Sequence, residues 1–173
     1  MSASTPVERS ESAEPDGRAV PASLRRHPVA QGVGGGVAAT VVMTVYRLPA
    51  FRALPPTAEF WATYVGDEGA EEYAGVGMAL HVLYGAAGGG VFGLAFARLG
   101  RLSGSRRRWG GVFLGVAYGL LLSVVGTRLV LRRLLDETLD DDEAFVFVVG
   151  HVVYGVALGT WMVVRRGFGD VYD

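Results

Sequence analysis

The sequence predicts an all-α fold, a four-helix transmembrane bundle, from three observations. Four stretches carry no Asp, Glu, Lys or Arg, and each is close to the roughly 20 residues that cross a hydrocarbon core as a helix. None shows the polar face at a 3.6-residue period that the main alternative, a soluble four-helix bundle, requires. Small residues recur every four positions in all of them, which favours close helix packing in lipid. The charge-free stretches are 28–46, 73–97, 109–127 and 144–164.

The chain divides into a polar tail, a membrane domain and a short C-terminus. Residues 1–27 are rich in Ser, Glu, Pro and Arg, a composition that cannot bury a core and predicts a disordered cytoplasmic tail. Residues 28–166 form the predicted four-span domain, followed by a short cytoplasmic C-terminus over residues 167–173. The twin arginine at 25–26 also occurs in export signals, but three further spans favour an uncleaved first helix. The predicted helices are 28–47, 73–98, 109–133 and 144–164.

The distribution of charge predicts the orientation in the plasma membrane. All 16 basic residues are Arg, and the N-terminal tail, the middle loop and the C-terminus hold four, five and two of them. The other two loops hold the remaining five and most of the acidic residues. By the positive-inside rule, both termini are cytoplasmic. The run Arg106 to Arg108 is interpreted as a topology determinant, so the bilayer is the expected partner and nucleic acid is not.

The most distinctive feature is a pattern that occurs twice, His-x-x-Tyr-Gly-x-x-x-Gly at 81–89 and at 151–159. Each histidine lies at the head of a row of small residues four positions apart, on one face of its helix. This repeat predicts two tandem helical hairpins, a parallel internal repeat with its axis along the membrane normal. The first and third helices align more weakly, "GVAATVVMTVYRL" with "GVAYGLLLSVVGTRL". That alignment needs a two-residue adjustment to bring Arg47 opposite Arg128.

The glycine rows are the predicted packing surfaces. In lipid there is little hydrophobic drive between helices, so small-xxx-small faces are a principal way to hold helices together. They would build either one compact bundle or a homo-oligomer. The predicted packing residues are Gly32 and Gly36 in the first helix, Gly85, Gly89 and Gly93 in the second, Gly111, Gly115 and Gly119 in the third, and Gly155 and Gly159 in the fourth.

These motifs also resemble a known family. The first helix with "VAATVVMT", the connection "RLPAFRALPPTAEFWATYV" and the paired "HVLYG" and "GHVVYG" helices are similar to a family of small, uncharacterised four-helix integral membrane proteins of halophilic archaea. The resemblance covers residues 32–161. It implies a four-span fold and carries no activity.

His81, Tyr84, His151 and Tyr154 form the candidate intramembrane polar site, because ionisable side chains within spans usually face a bundle or a cavity. Three interpretations stay open. The residues could relay protons or line the path of a solute in a small transporter or channel-like protein. Two facing imidazoles could ligate haem, or serve a quinone-binding redox subunit, with the glycines making room for the cofactor. Each histidine could instead donate a hydrogen bond across the bundle and serve packing alone.

No enzyme motif accompanies this site. The patterns GxxxxGK[ST], H-E-x-x-H and G-x-S-x-G are absent, and the chain contains no cysteine, which excludes disulfides and thiolate metal sites. The sequence therefore predicts no catalytic residue, no metal site and no cofactor. The leading interpretation is a non-enzymatic, glycine-packed membrane protein.

Two connections carry further expectations. In "PPTAEFWATY", Thr57 is a candidate N-cap of a short helix that clusters Phe60, Trp61 and Tyr64. That helix is either a lid over a pocket or, preferably, an aromatic anchor lying flat on the bilayer. The run Asp140 to Glu143 is interpreted as a solvated acidic cap, with a divalent-cation site as the alternative.

Overall fold

A computed structural model of the chain describes residues 27–48, 54–98 and 104–167. Within these ranges the chain forms helices, turns and short loops, with no strand, which confirms the all-α prediction. A π-helical segment, Gly126–Leu135, continues the fourth helix directly. The helices are α1 (Pro28–Arg47), α2 (Pro56–Tyr64), α3 (Ala74–Arg98), α4 (Gly104–Val125) and α5 (Asp141–Gly167).

Four of these helices are long and apolar enough to cross a membrane. α1 and α3 qualify over their whole lengths, as do Arg108–Leu135, which joins α4 to the π-helical segment, and Asp141–Arg165 in α5. The chain is therefore a multi-pass membrane protein by the length and composition of its helices. The predicted N-terminal tail, apart from His27, and the C-terminus beyond residue 167 lie outside the described residues.

Hairpin one pairs α1 with α3 through their glycines. A Cβ atom added at Gly36 would overlap the Gly85 carbonyl oxygen and lie 3.0 Å from the Gly89 Cα. A Cβ at Gly32 would overlap the carbonyl oxygen of Gly89 and lie 3.0 Å from the Gly93 Cα. The two backbones therefore touch, at a separation that no larger residue permits.

Hairpin two pairs α4 with α5 in the same register. A Cβ at Gly115 would overlap the Gly155 carbonyl oxygen and lie 3.0 Å from the Gly159 Cα. A Cβ at Gly119 would overlap the carbonyl oxygen of His151. Gly115 therefore contacts Gly155 and Gly159 of α5 as Gly36 contacts Gly85 and Gly89 of α3. In each hairpin this contact begins at the glycine four residues after the histidine of the repeat.

The π-helical segment explains the two-residue mismatch between the first and third helices. When Gly36 is aligned with Gly115, the extra residues are Gly126 and Thr127, the first two of the segment. A π-helix holds roughly 4.4 residues per turn against 3.6 in an α-helix, so ten residues take up about two more than the same rotation of α-helix. The two extra residues are therefore accommodated by a local widening of the helix.

The two hairpins are joined mainly through α1 and α5, whereas α3 contacts α4 and α5 at few points. The indole Nε1 of Trp161 donates to the Gln31 carbonyl at 3.1 Å. Phe92, Leu158 and Met162 are fully buried between the hairpins. The bundle is therefore tight along the α1–α5 contact and looser where α3 faces α4.

The acidic connection between the π-helical segment and α5 is a capping structure. Asp136 adopts a left-handed conformation, with φ of 54°. Asp140 and Glu143 then form a reciprocal capping box, in which the Glu143 N–H donates to the Asp140 carboxylate at 2.8 Å and the Asp140 N–H to the Glu143 carboxylate at 3.2 Å. Among the described residues no group of three His, Asp or Glu side chains is placed to hold a metal ion.

Glycine packing in hairpin one predicts a specific loss of stability. In Gly89→Ala the added methyl group would lie 2.6 Å from the Gly36 Cα, so the helices must separate, at a cost of about 1–3 kcal/mol. Gly75→Ala, in the same helix, is the matched control because nothing lies within 4 Å of its Cβ position. The free energy of unfolding in mixed micelles should fall for Gly89→Ala alone. Equal values for both variants would contradict the backbone contact.

Candidate functional site

A pocket lies at the end of the bundle that carries α2, between α1, α3, α5 and the π-helical segment. Its cavity volume is about 70 Å³, and it is open on one side. Its wall is mostly apolar, and its polar groups come from four of the lining elements. The lining residues are Met43, Arg47, Pro56, Thr57, His81, Tyr84, Gly126, Val130, Leu131, Phe147 and His151.

A second, smaller cleft, with a cavity volume of about 20 Å³, adjoins the pocket and brings together all four residues of the predicted polar site, His81, Tyr84, His151 and Tyr154. It shares both histidines, Tyr84 and Met43 with the pocket. The two copies of the sequence repeat therefore meet at one place. The pocket and the second cleft together are called the binding site below.

The His151 side chain is satisfied within its own helix. Its Nδ1 atom lies 2.8 Å from the Phe147 carbonyl oxygen, which can only accept, so Nδ1 donates and Nε2 is the acceptor nitrogen. The Phe147 ring packs on the imidazole at a centroid distance of 4.4 Å, and His151 is only 7% exposed. The prediction that His151 donates a hydrogen bond across the bundle is therefore wrong. Its Nδ1–H donates instead to the carbonyl one turn earlier in α5.

His81 occupies a different environment. Among the described residues its ring makes no hydrogen bond, and it is half-buried in the wall of the binding site. The predicted hydrogen bond from His81 across the bundle is therefore also absent among the described residues. Of the two imidazoles, His81 is the one with both ring nitrogens left for another molecule.

The two tyrosines of the repeat also differ. Tyr154 is 3% exposed, and its hydroxyl donates to the Gly85 carbonyl in the other hairpin at 2.7 Å. Tyr84 is 42% exposed at the mouth of the binding site and makes no hydrogen bond among the described residues. The repeat thus supplies one tyrosine that joins the hairpins and one that faces the opening.

Tyr118, which the sequence analysis missed, is a second link between the hairpins. Its hydroxyl donates to the Gly88 carbonyl at 2.8 Å, one turn from the carbonyl that Tyr154 uses. These carbonyls are accessible because glycines surround them on α3. A tyrosine on α4 facing a glycine-rich helix was the only signal that could have found this contact.

Arg47 is the cation of the binding site, and the sequence analysis placed it among the loop arginines. It is the last residue of α1, and its side chain lies against Gly150 of α5, 3.4 Å from that residue's Cβ position. Its Nε atom is buried without a hydrogen-bond partner, and the described lining residues include no carboxylate. Its position as the last residue of the predicted first helix was the available signal.

α2 covers the gap between α3 and the π-helical segment. The Thr57 hydroxyl donates to the Gly77 carbonyl of α3 at 2.6 Å, and the Tyr64 hydroxyl donates to the Leu134 carbonyl. Thr57 is not the N-cap: Pro55 holds that position, and Pro56 begins the helix with its φ already fixed. Because Pro56 and Thr57 line the pocket, α2 lies where the lid interpretation requires it.

Carboxylates surround the aqueous rim of this end. Burial raises the pKa of Glu137 above its ordinary value, and the neighbouring carboxylates of Glu59 and Glu143 add to the rise. The negative charges of these carboxylates give the water-facing rim a negative potential, in contrast to the cationic interior at Arg47.

Comparison of the chain with known protein families, with curated proteins and with solved structures finds no match. The conclusions about function therefore depend on the geometry of the binding site.

The asymmetry of the tyrosines predicts that Tyr154→Phe destabilises the bundle and Tyr84→Phe does not. The first variant leaves the Gly85 carbonyl without its second donor and removes a link between hairpins, at a cost of about 0.6 kcal/mol, the average for such bonds in membranes. Tyr84→Phe is the matched control from the other copy of the repeat. The measurement is the free energy of unfolding, and an equal change in the two variants would contradict the assignment.

Proposed function

We propose that this chain is a non-enzymatic protein of the plasma membrane, with both termini in the cytoplasm, that binds a small molecule in the binding site. The observation that carries the proposal is the convergence of Arg47, His81 and Tyr84 on an open, largely apolar cavity. Concave sites with apolar walls and a few convergent polar groups are the usual form of ligand pockets. The resemblance to four-helix membrane proteins of halophilic archaea agrees with this architecture and adds no ligand.

The chemistry of the lining supports binding over catalysis. No carboxylate lines the described part of the site, and the Thr57 hydroxyl is already bonded to the Gly77 carbonyl. His151 directs its Nδ1–H to its own helix, and His81 makes no hydrogen bond among the described residues, so neither histidine is paired with a nucleophile or an acid that it could activate. The polar groups are arranged to orient a ligand.

Transport is the second candidate, favoured by the continuation of the pocket into the deeper cleft toward Thr40 and Leu122. This candidate requires that flux across liposomes fall when His81 and His151 are both replaced by alanine.

Haem binding has less support from the packing. The interpretation used the glycines below each histidine as room for the macrocycle, but Gly85 and Gly89 contact α1, and Gly155 and Gly159 contact α4. Haem ligation therefore depends on the pocket alone, and it requires a Soret band in protein expressed with haem supplied.

Native mass spectrometry of the full chain purified from its own membrane tests the proposed binding. The native protein should carry a bound small molecule. Val130→Trp should lose it because the indole fills the pocket, whereas Leu129→Trp, on the lipid-exposed face of the same turn, should retain it. The same bound mass on both variants, or none on the native protein, would refute the proposal.

A further inference from the structure

We infer that the binding site takes an anionic amphiphile, a molecule with a phosphate or carboxylate head on an apolar chain, and that Arg47 binds the head. The inference rests on the proposed function and adds the chemical class of the ligand. It is carried by the unpaired Arg47 donor, the apolar wall and the position of the opening.

Arg47 requires an anionic partner that the described residues do not supply. A guanidinium stays charged, and its five N–H donors match two oxygens of a phosphate or carboxylate in parallel. Burial of a charge without a partner is unfavourable, yet Nε has none, and Arg47 makes no ion pair within the described part of the chain. His81, with a free ring N–H, is a second donor on the same site.

The wall of the site fits an apolar chain. Around Arg47 and the histidines, the lining is formed by Met43, Val130, Leu131 and Phe147. A free inorganic anion would leave these surfaces unused, whereas an alkyl chain would contact them. The ligand class therefore combines an oxyanion and an apolar tail in one molecule.

The opening lies beside exposed residues of a membrane-spanning helix. Tyr84 is exposed at the mouth, and its neighbour Leu83, 64% exposed, lies on the outer surface of the same span. The backbones of α3 and α4 make few contacts on this side, while α2 covers the end toward water.

The acidic rim favours the same route. Glu59, Glu137 and Glu143 give the aqueous approach a negative potential, which disfavours an anion arriving from water. An anion that enters the binding site from the bilayer reaches Arg47 without crossing this rim.

The test uses the full chain in non-ionic detergent with three probes: lysophosphatidic acid, a monoacylglycerol of the same chain length, and inorganic phosphate. Calorimetric titration should show that lysophosphatidic acid binds tightest. Arg47→Gln should weaken its binding by about tenfold or more, because a buried charge-assisted pair is lost. Arg47→Lys, which keeps the charge but not the fork, should give an intermediate value.

Arg128→Gln is the matched control, since Arg128 is an exposed arginine on the π-helical segment outside the lining of the pocket. Its affinity for lysophosphatidic acid should equal that of the native chain. The inference is overturned if Arg47→Gln binds this probe as tightly as the native chain does, or if Arg128→Gln weakens it equally. It is also overturned if inorganic phosphate binds as tightly as the amphiphile.

The outcomes separate this inference from the proposed function. If the monoacylglycerol binds as well as lysophosphatidic acid, and Val130→Trp alone abolishes both, the binding function stands and the anionic class is wrong. If no probe binds and the native protein carries no small molecule, both are wrong.

Discussion

Direct contact between helix backbones is the constraint on which the rest of this bundle depends. There is little hydrophobic drive between helices in lipid, so α1 and α3 are held by close packing that only glycine permits, as between Gly36 and Gly89. The same holds for α4 and α5. The same absence of side chains leaves the Gly85 and Gly88 carbonyls of α3 open to the hydroxyls of Tyr154 and Tyr118. Packing within each hairpin thus creates the acceptors that join the hairpins.

The binding site forms where these rows end. Beyond Gly85 the next residue on the same face of α3 is His81, and beyond Gly155 on α5 it is His151, so a large side chain takes the place of the glycine hydrogen atom at these positions. On the facing helix, the wider π-helical turn at Gly126 adds to the separation. Arg47 lies in the space that results. The histidines therefore mark the boundary between a packed half of the bundle and a concave half.

The all-α fold and the glycine contacts could be predicted, because charge-free length and four-residue spacing are read directly from the sequence. The convergence of His81 and His151 followed from the repeat. The repeat could not reveal that Tyr154 is buried and Tyr84 exposed, since this depends on which hairpin faces the gap between α3 and α4. Arg47 was missed because a basic residue at a helix end is an ordinary topology signal, and its direction depends on the tertiary packing.

Disulfide cross-linking between α1 and α3 tests most directly the claim that their glycines pack in the register described. The chain contains no cysteine, so any cross-link comes from the introduced pair. A Cβ at Gly90 would lie 3.2 Å from Val33 Cγ2, so the double variant Val33→Cys with Gly90→Cys should cross-link under mild oxidation. The pair Val37→Cys with Gly90→Cys, displaced by about one turn or 5.4 Å, should not. Equal or faster cross-linking of the displaced pair would contradict the glycine register from which the binding site is derived.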